Sequence, residues 1–222
     1  MKEIPILFST PMVQAINELR KTQTRRIIKP QPDSVRSSVF VKSGFETCHG
    51  YEIKCPYGQS GDRLYIKEAI RKIEWSDGID GIAYVADDEP VWDITRPCRW
   101  VWKNKTLPSM YMPKNIARTW LDNESVRVEK LQEISIGDIY REGCVPPWYN
   151  TGDDQMVLGK FFQPLWDSIN ARPKPIYKNK QIVAYESYPW DDIQEVREYR
   201  GKPWIVTGNP HVWVVGFKKV VD

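Results

Sequence analysis

Apolar and polar positions follow two different periods along this chain. Ile4 to Phe8 is a short apolar run and predicts a strand. Ser9-Thr10-Pro11 then supplies a helix start, a hydroxyl to cap and a proline for the first turn. Met12, Val13, Ile16 and Leu19 recur at helical spacing, so an amphipathic helix is predicted over 11–20. It ends in the polar cluster Arg20 to Arg26, and Pro30 and Pro32 stop regular structure beyond it. Arg63 to Glu68 alternates, with Leu64 and Ile66 on the inner side. Gly81 to Ala86 reads as another strand, and Ser125 to Leu131 alternates through Val126, Val128 and Leu131. His211 to Val220 closes the chain as a long strand.

Ser135-Ile136-Gly137-Asp138 has the form of a capping box and predicts a short helix that stops at Glu142-Gly143. Phe161 to Ile169 reads as helical, with a break at Pro164. Residues 33–60 look irregular, Trp92 to Trp102 is aromatic-rich without a period, and 173–203 reads as an insertion or flexible hairpin. Several short strands, two or three short helices and no βαβ alternation predict an α+β barrel.

Composition narrows the setting. The chain has 222 residues, 41% hydrophobic and 27% charged, which is ordinary for a globular protein. No run of 18 apolar residues is present, and the first residues lack the apolar segment of a signal peptide, so a cytoplasmic protein without a membrane span is expected. The four cysteines form no CxxC pair, and Cys48-His49 with Cys55 offers three zinc ligands at most. With only two histidines, His49 and His211, a histidine-rich metal centre is excluded, and neither metal nor cofactor is expected. Residues 1–36 hold seven bases against three acids, a local +4 in a chain whose net charge is +3. A basic cluster on a near-neutral body suits an anionic ligand bound at one place.

The cluster Lys21-Thr22-Gln23-Thr24-Arg25-Arg26 resembles the motif of the ASCH domain family, relatives of the PUA domain. That pattern runs glycine, then lysine, threonine and arginine, matched here by Lys21, Thr24 and Arg26, with Leu19 in the glycine place. Cys55-Pro56-Tyr57-Gly58 through Leu64, Met112 to Arg118, Val126-Arg127-Val128-Glu129, Asp138 to Gly143 and Trp213 to Lys218 are similar to phage and prophage members of the family. The resemblance implies a single PUA-like mixed β-barrel over 1–222 with a few short helices. Stretches 70–107 and 145–204 would be insertions.

The resemblance also implies function. Related domains bind RNA, so a basic pocket for RNA or a modified nucleoside is expected. Lys21, Arg25, Arg26, Glu68 and Arg118 are the candidate nucleic-acid contacts, and Tyr57, Tyr65 and Trp120 the candidate stacking surfaces. A bacterial family member is an amidohydrolase of N4-acetylcytidine, and its catalytic set carries over to Lys21, Thr24 and Glu142, with Glu133 as a distant alternative to the glutamate. In that chemistry Lys21 takes the proton of the Thr24 hydroxyl and Glu142 orients water or returns a proton to the leaving amine. The structural alternatives stay open: Thr24 as a turn cap, Glu142 in an ion pair, and Glu68 and Arg118 in a salt bridge. Ribonuclease action is a further alternative, as is a phage-encoded module that engages a host protein through the aromatic stretch 92–111.

Overall fold

The computed structural model describes residues 1–75, 78–93, 96–149 and 153–221. The chain divides into two compact units. Unit 1 takes Met1–Thr22, Cys55–Val126 and Val215–Asp222, and unit 2 takes Gln23–Lys54 and Arg127–Val214. In chain order the strands begin with β1 (Glu3–Leu7), β2 (Gln23–Ile27), β3 (Val35–Ser37), β4 (Phe45–Thr47) and β5 (Arg63–Lys67). Then come β6 (Ile70–Glu74), β7 (Asp80–Tyr84), β8 (Trp92–Asp93), β9 (Arg96–Pro97), β10 (Thr106–Leu107) and β11 (Trp120–Lys130). The last five are β12 (Lys174–Lys178), β13 (Gln181–Ser187), β14 (Gln194–Tyr199), β15 (Lys202–Thr207) and β16 (His211–Lys219). The α-helices are α1 (Thr10–Asn17), α2 (Ile136–Arg141), α3 (Asp154–Val157) and α4 (Gln163–Asn170). The protein is thus mixed α+β and mostly strand.

In unit 1, β1 runs parallel to β5 from Glu3–Arg63 to Leu7–Lys67, and β5 pairs antiparallel with the start of β11, Tyr65 opposite Trp120. Leu64 and Ile66 are fully buried, as the alternation of β5 requires. Helix α1 starts after Ser9 with Pro11 in its first turn and buries Val13, Ala15 and Ile16. It ends at Leu19, whose φ of +59° places it in the left-handed region. The N–H groups of Arg20 and Lys21 both donate to the Ala15 carbonyl there, a helix stop usually given to glycine. Strands β10, β6 and β7 form a second sheet over a core that includes Ile70, Ile82, Tyr84 and Met112.

In unit 2, β2 lies beside β16, and the Ile28 N–H donates to the His211 carbonyl at 3.2 Å. Helix α2 is capped by Ser135, whose Oγ accepts from the Asp138 N–H at 3.2 Å, and it stops at Gly143, φ +71°. Its core gathers Leu131, Ile139, Phe162, Trp166, Val212 and Val214. Pro164 sits in the first turn of α4, directly after a wider-wound helical segment, Leu158–Phe162.

Several sequence expectations are corrected. Among the described residues the strands form open sheets and no closed barrel. The basic cluster is not a polar helix end: from Gln23 onward it is β2, and its first three residues are buried. Residues 33–60 contain the β3–β4 hairpin. The stretch read as an insertion or a flexible hairpin, 173–203, lies mostly within a sheet of four strands ordered β12-β13-β15-β14, which replaces the flexible hairpin. Its prolines hid it, and Pro175 lies on the edge strand β12, where proline is tolerated. The Trp92 to Trp102 stretch yields only the β8–β9 pair, and its residues 94–95 lie outside the described set.

Candidate functional site

Strand β2 turns alternate side chains to opposite faces, so Thr24 and Arg26 share one and Gln23, Arg25 and Ile27 the other. Ile27 packs on the apolar core of unit 2, which carries Arg25 into that core with it. The Arg25 side chain is 1% exposed, and its guanidinium carbon lies 6.0 Å from the centre of the Phe162 ring. A charge so buried needs partners. Arg25 has three: Nη1 donates to Glu142 Oε1 at 3.0 Å, Nη2 to Asp138 Oδ2 at 3.0 Å, and Nη2 also to Glu129. Burial alone would lower the pKa of Arg25. Glu142 and Glu129, then Asp138, more than reverse this and hold it above its ordinary value.

The network continues outward. Arg127 on β11 donates to Asp138 Oδ2 at 2.6 Å, to Glu129 Oε2 at 3.1 Å and to Gln23 Oε1 at 3.2 Å. Arg141 reaches Asp138 Oδ1 at 3.2 Å. Burial pushes the Asp138 carboxyl up, and the hydrogen bond and charge of Arg25, with Arg127, leave it lowered. Three arginines from β2, β11 and α2 thus meet three carboxylates from β11, α2 and the α2 C-cap. The charges cancel, so Arg25 is committed to carboxylates rather than held out to a phosphate.

Thr24 is 3% exposed and Glu142 6%. In unit 1, Lys21 is 2% exposed, with its ammonium 5.6 Å from the centre of the Phe8 ring. Arg26 is half-buried. Of the expected residues in unit 2, Arg25 and Glu142 are brought into direct contact. The sequence reading omitted Asp138 and Glu129 from the site. Their signals were present: Arg127 and Glu129 fall on one face of an alternating strand, and the capping box fixes the start of the helix that bears Asp138 and Glu142.

Glu68 and Arg118 form a separate cluster in unit 1. Arg118 Nε and Nη2 grip the two oxygens of Glu68 at 2.9 Å each, and Nη1 donates to Glu89 at 2.6 Å and lies 2.9 Å from Asp87. The Arg118 guanidinium stacks over Tyr84 at 3.8 Å, and Glu68 is 1% exposed. Burial lowers the pKa of Arg118, and its hydrogen bonds to Glu68 and Asp87 raise it beyond the ordinary value. Tyr65 and Trp120, named as stacking surfaces, are half-buried cross-strand partners with ring centres 5.6 Å apart, and Lys114 lies over both.

A cleft of about 180 Å³ opens on unit 2, with Arg36, Phe45, Glu129, Lys130, Glu133 and His211 among its lining. Glu129 belongs both to this lining and to the Arg25 network, whose more exposed members are Arg127 and Arg141. No group of histidine, cysteine and carboxylate side chains suited to a metal ion occurs among the described residues. No helix among them is long and apolar enough to cross a membrane. No family model, no curated protein and no solved structure matches the chain.

Proposed function

We propose that this protein is an ASCH-type, PUA-like domain that binds a modified nucleoside, or one unpaired RNA base, at the lysine–threonine–arginine motif that carries Thr24 into β2. The observation that carries the reading is burial: Lys21, Thr24 and Glu142 are 2%, 3% and 6% exposed. A protein that tracks a phosphate backbone needs cations at the surface. A site for one nucleoside needs a few polar groups fixed in a mainly enclosed setting. The three carboxylates around Arg25 and the two-point grip of Arg118 on Glu68 support a ligand held by few charges over a phosphate backbone. The family resemblance gains support at Leu19, because the pattern's glycine falls on a backbone position with φ +59°.

A second reading, amide hydrolysis, is favoured by Lys21 itself. An amine buried against an aromatic ring is the setting in which lysine exchanges protons rather than only holding charge. As the family resemblance implies, Lys21 accepts the Thr24 hydroxyl proton as oxygen attacks the acyl carbon, and returns that proton to the amine as the carbon–nitrogen bond breaks. Water then frees the acyl group, and Glu142, held by Arg25 on the opposite face of β2, fixes the strand that carries Thr24. Turnover of N4-acetylcytidine by the wild type and by Lys21→Ala tests this. Product from the wild type alone supports hydrolysis; equal product from both sinks it.

A further inference from the structure

The four-stranded sheet of unit 2 has two outer strands, and the sequence treats them differently. Strand β12 carries Pro175, a bulge between Ile176 and Tyr177, and lysines at both ends, Lys174 and Lys178. These features blunt an edge against further pairing. Strand β14 has none of them: no proline, no lysine and no bulge along its ladder to β15. Its residues from Gln194 to Glu198 are all exposed, Val196 at 69%.

The β14–β15 turn fixes which backbone groups face outward. Arg200 and Gly201 both have positive φ, +53° and +69°, the two-residue turn that suits a twisted hairpin. Such a turn closes on a hydrogen-bonded pair, here Tyr199–Lys202, and pairs then alternate along the ladder. Arg197–Trp204 and Glu195–Val206 are hydrogen-bonded pairs; Glu198–Pro203, Val196–Ile205 and Gln194–Thr207 are not. Pro203 falls where no N–H is needed, in agreement. Gln194, Val196 and Glu198 therefore turn their N–H and C=O groups away from β15, toward the open edge.

We infer that β14 is a self-complementary edge on which a second copy of this chain pairs antiparallel, about a twofold axis at Val196. In that register Val196 meets its own copy and Gln194 meets Glu198. These are the three residues with outward backbone groups, so three hydrogen-bonded pairs close. Glu195 then faces Arg197 of the second copy, and Arg197 faces its Glu195. Both side chains already share a face, ion-paired with each other, and Arg197 lies 5.3 Å from the centre of the Trp204 ring. On the other face Val196 and its neighbour Ile205, 41% exposed, join their copies in one apolar row. Moving the axis by half a residue, to lie between Val196 and Arg197, sets Glu195 against Glu198. Centring it on Glu195 or Arg197 pairs residues whose backbone groups are already used by β15.

Light scattering on the full chain over a concentration series tests this. The expected mass approaches twice the 26.0 kDa of one chain. Val196→Pro removes an N–H that points away from β15, and should return the mass to a single chain with the circular dichroism unchanged. Glu195→Arg and Arg197→Glu should each weaken association tenfold or more, and the two together should restore it. The double swap decides the matter even where the proline variant misfolds. A single-chain mass at every concentration, a dimer indifferent to Val196→Pro in the folded variant, or a double swap no tighter than the single ones would overturn the inference.

Discussion

Arg25 and Glu142 stand 117 residues apart in the chain, yet Nη1 of one lies 3.0 Å from Oε1 of the other, with both side chains at most 7% exposed. The contact joins the centre of the lysine–threonine–arginine motif to the C-cap of α2. It ties β2, the strand that carries Thr24, to the end of α2.

Removing Arg25 leaves three carboxylates without their shared cation. Arg25→Ala is expected to lower unfolding stability by about 3–5 kcal/mol, the cost of breaking a buried ion pair from one side. Urea denaturation measures it. Arg25→Lys should recover only part, since one ammonium cannot serve three carboxylates in the directions a guanidinium does.

Arg118→Ala should behave alike in unit 1, because Glu68 would lose its two-point partner at 1% exposure. A loss of about 3–5 kcal/mol is expected. Nucleoside affinity of the folded fraction should stay unchanged, since Arg118 has no part in the proposed site. A drop in affinity without a drop in stability would restore Arg118 as a ligand contact.

His211 gives the fold a pH dependence near neutrality. Burial, and then the charge of Lys130, hold its folded pKa below the ordinary value. The unfolded state, with histidine near pKa ~6.5, therefore binds more protons in the window just below that value. Stability should fall as pH drops from about 6.5 through the folded pKa, and His211→Gln should flatten that part of the curve. Urea midpoints between pH 5 and pH 8 test the slope.

Leu19 sits at φ +59° with its side chain 64% exposed. A left-handed non-glycine residue costs about 1–2 kcal/mol, and glycine returns part of that through the freer unfolded chain. Leu19→Gly is expected to raise stability by up to about 1 kcal/mol, read as a higher thermal midpoint.

Strands and helices with a clear period were legible in the sequence. β1, α1, β5, α2 and β16 lie where alternation, helical spacing and capping residues put them. Strand β2 was not, because its polar residues, Gln23, Thr24, Arg25 and Arg26, read as solvent-facing. The burial of Arg25 depends on carboxylates that come from more than a hundred residues away, and no local pattern encodes such a contact. The same holds for Glu68, which only Arg118 makes tolerable as a buried acid. The sheet of β12 to β15 was hidden by its prolines, Pro175 on the edge strand β12 and Pro203 opposite Glu198, where no N–H to β14 is needed. Lys21, Thr24, Arg25 and Glu142 were named from the motif, whereas Glu129 and Asp138 emerged only from the folded geometry.

Calorimetric titration of N4-acetylcytidine into the wild-type chain and into Thr24→Val, each at low and high salt, tests the central claim most directly. Saturable binding that changes little with salt and is lost in Thr24→Val is the expected result. The absence of binding to the nucleoside, together with RNA affinity that falls steeply with salt and ignores Thr24, would contradict it.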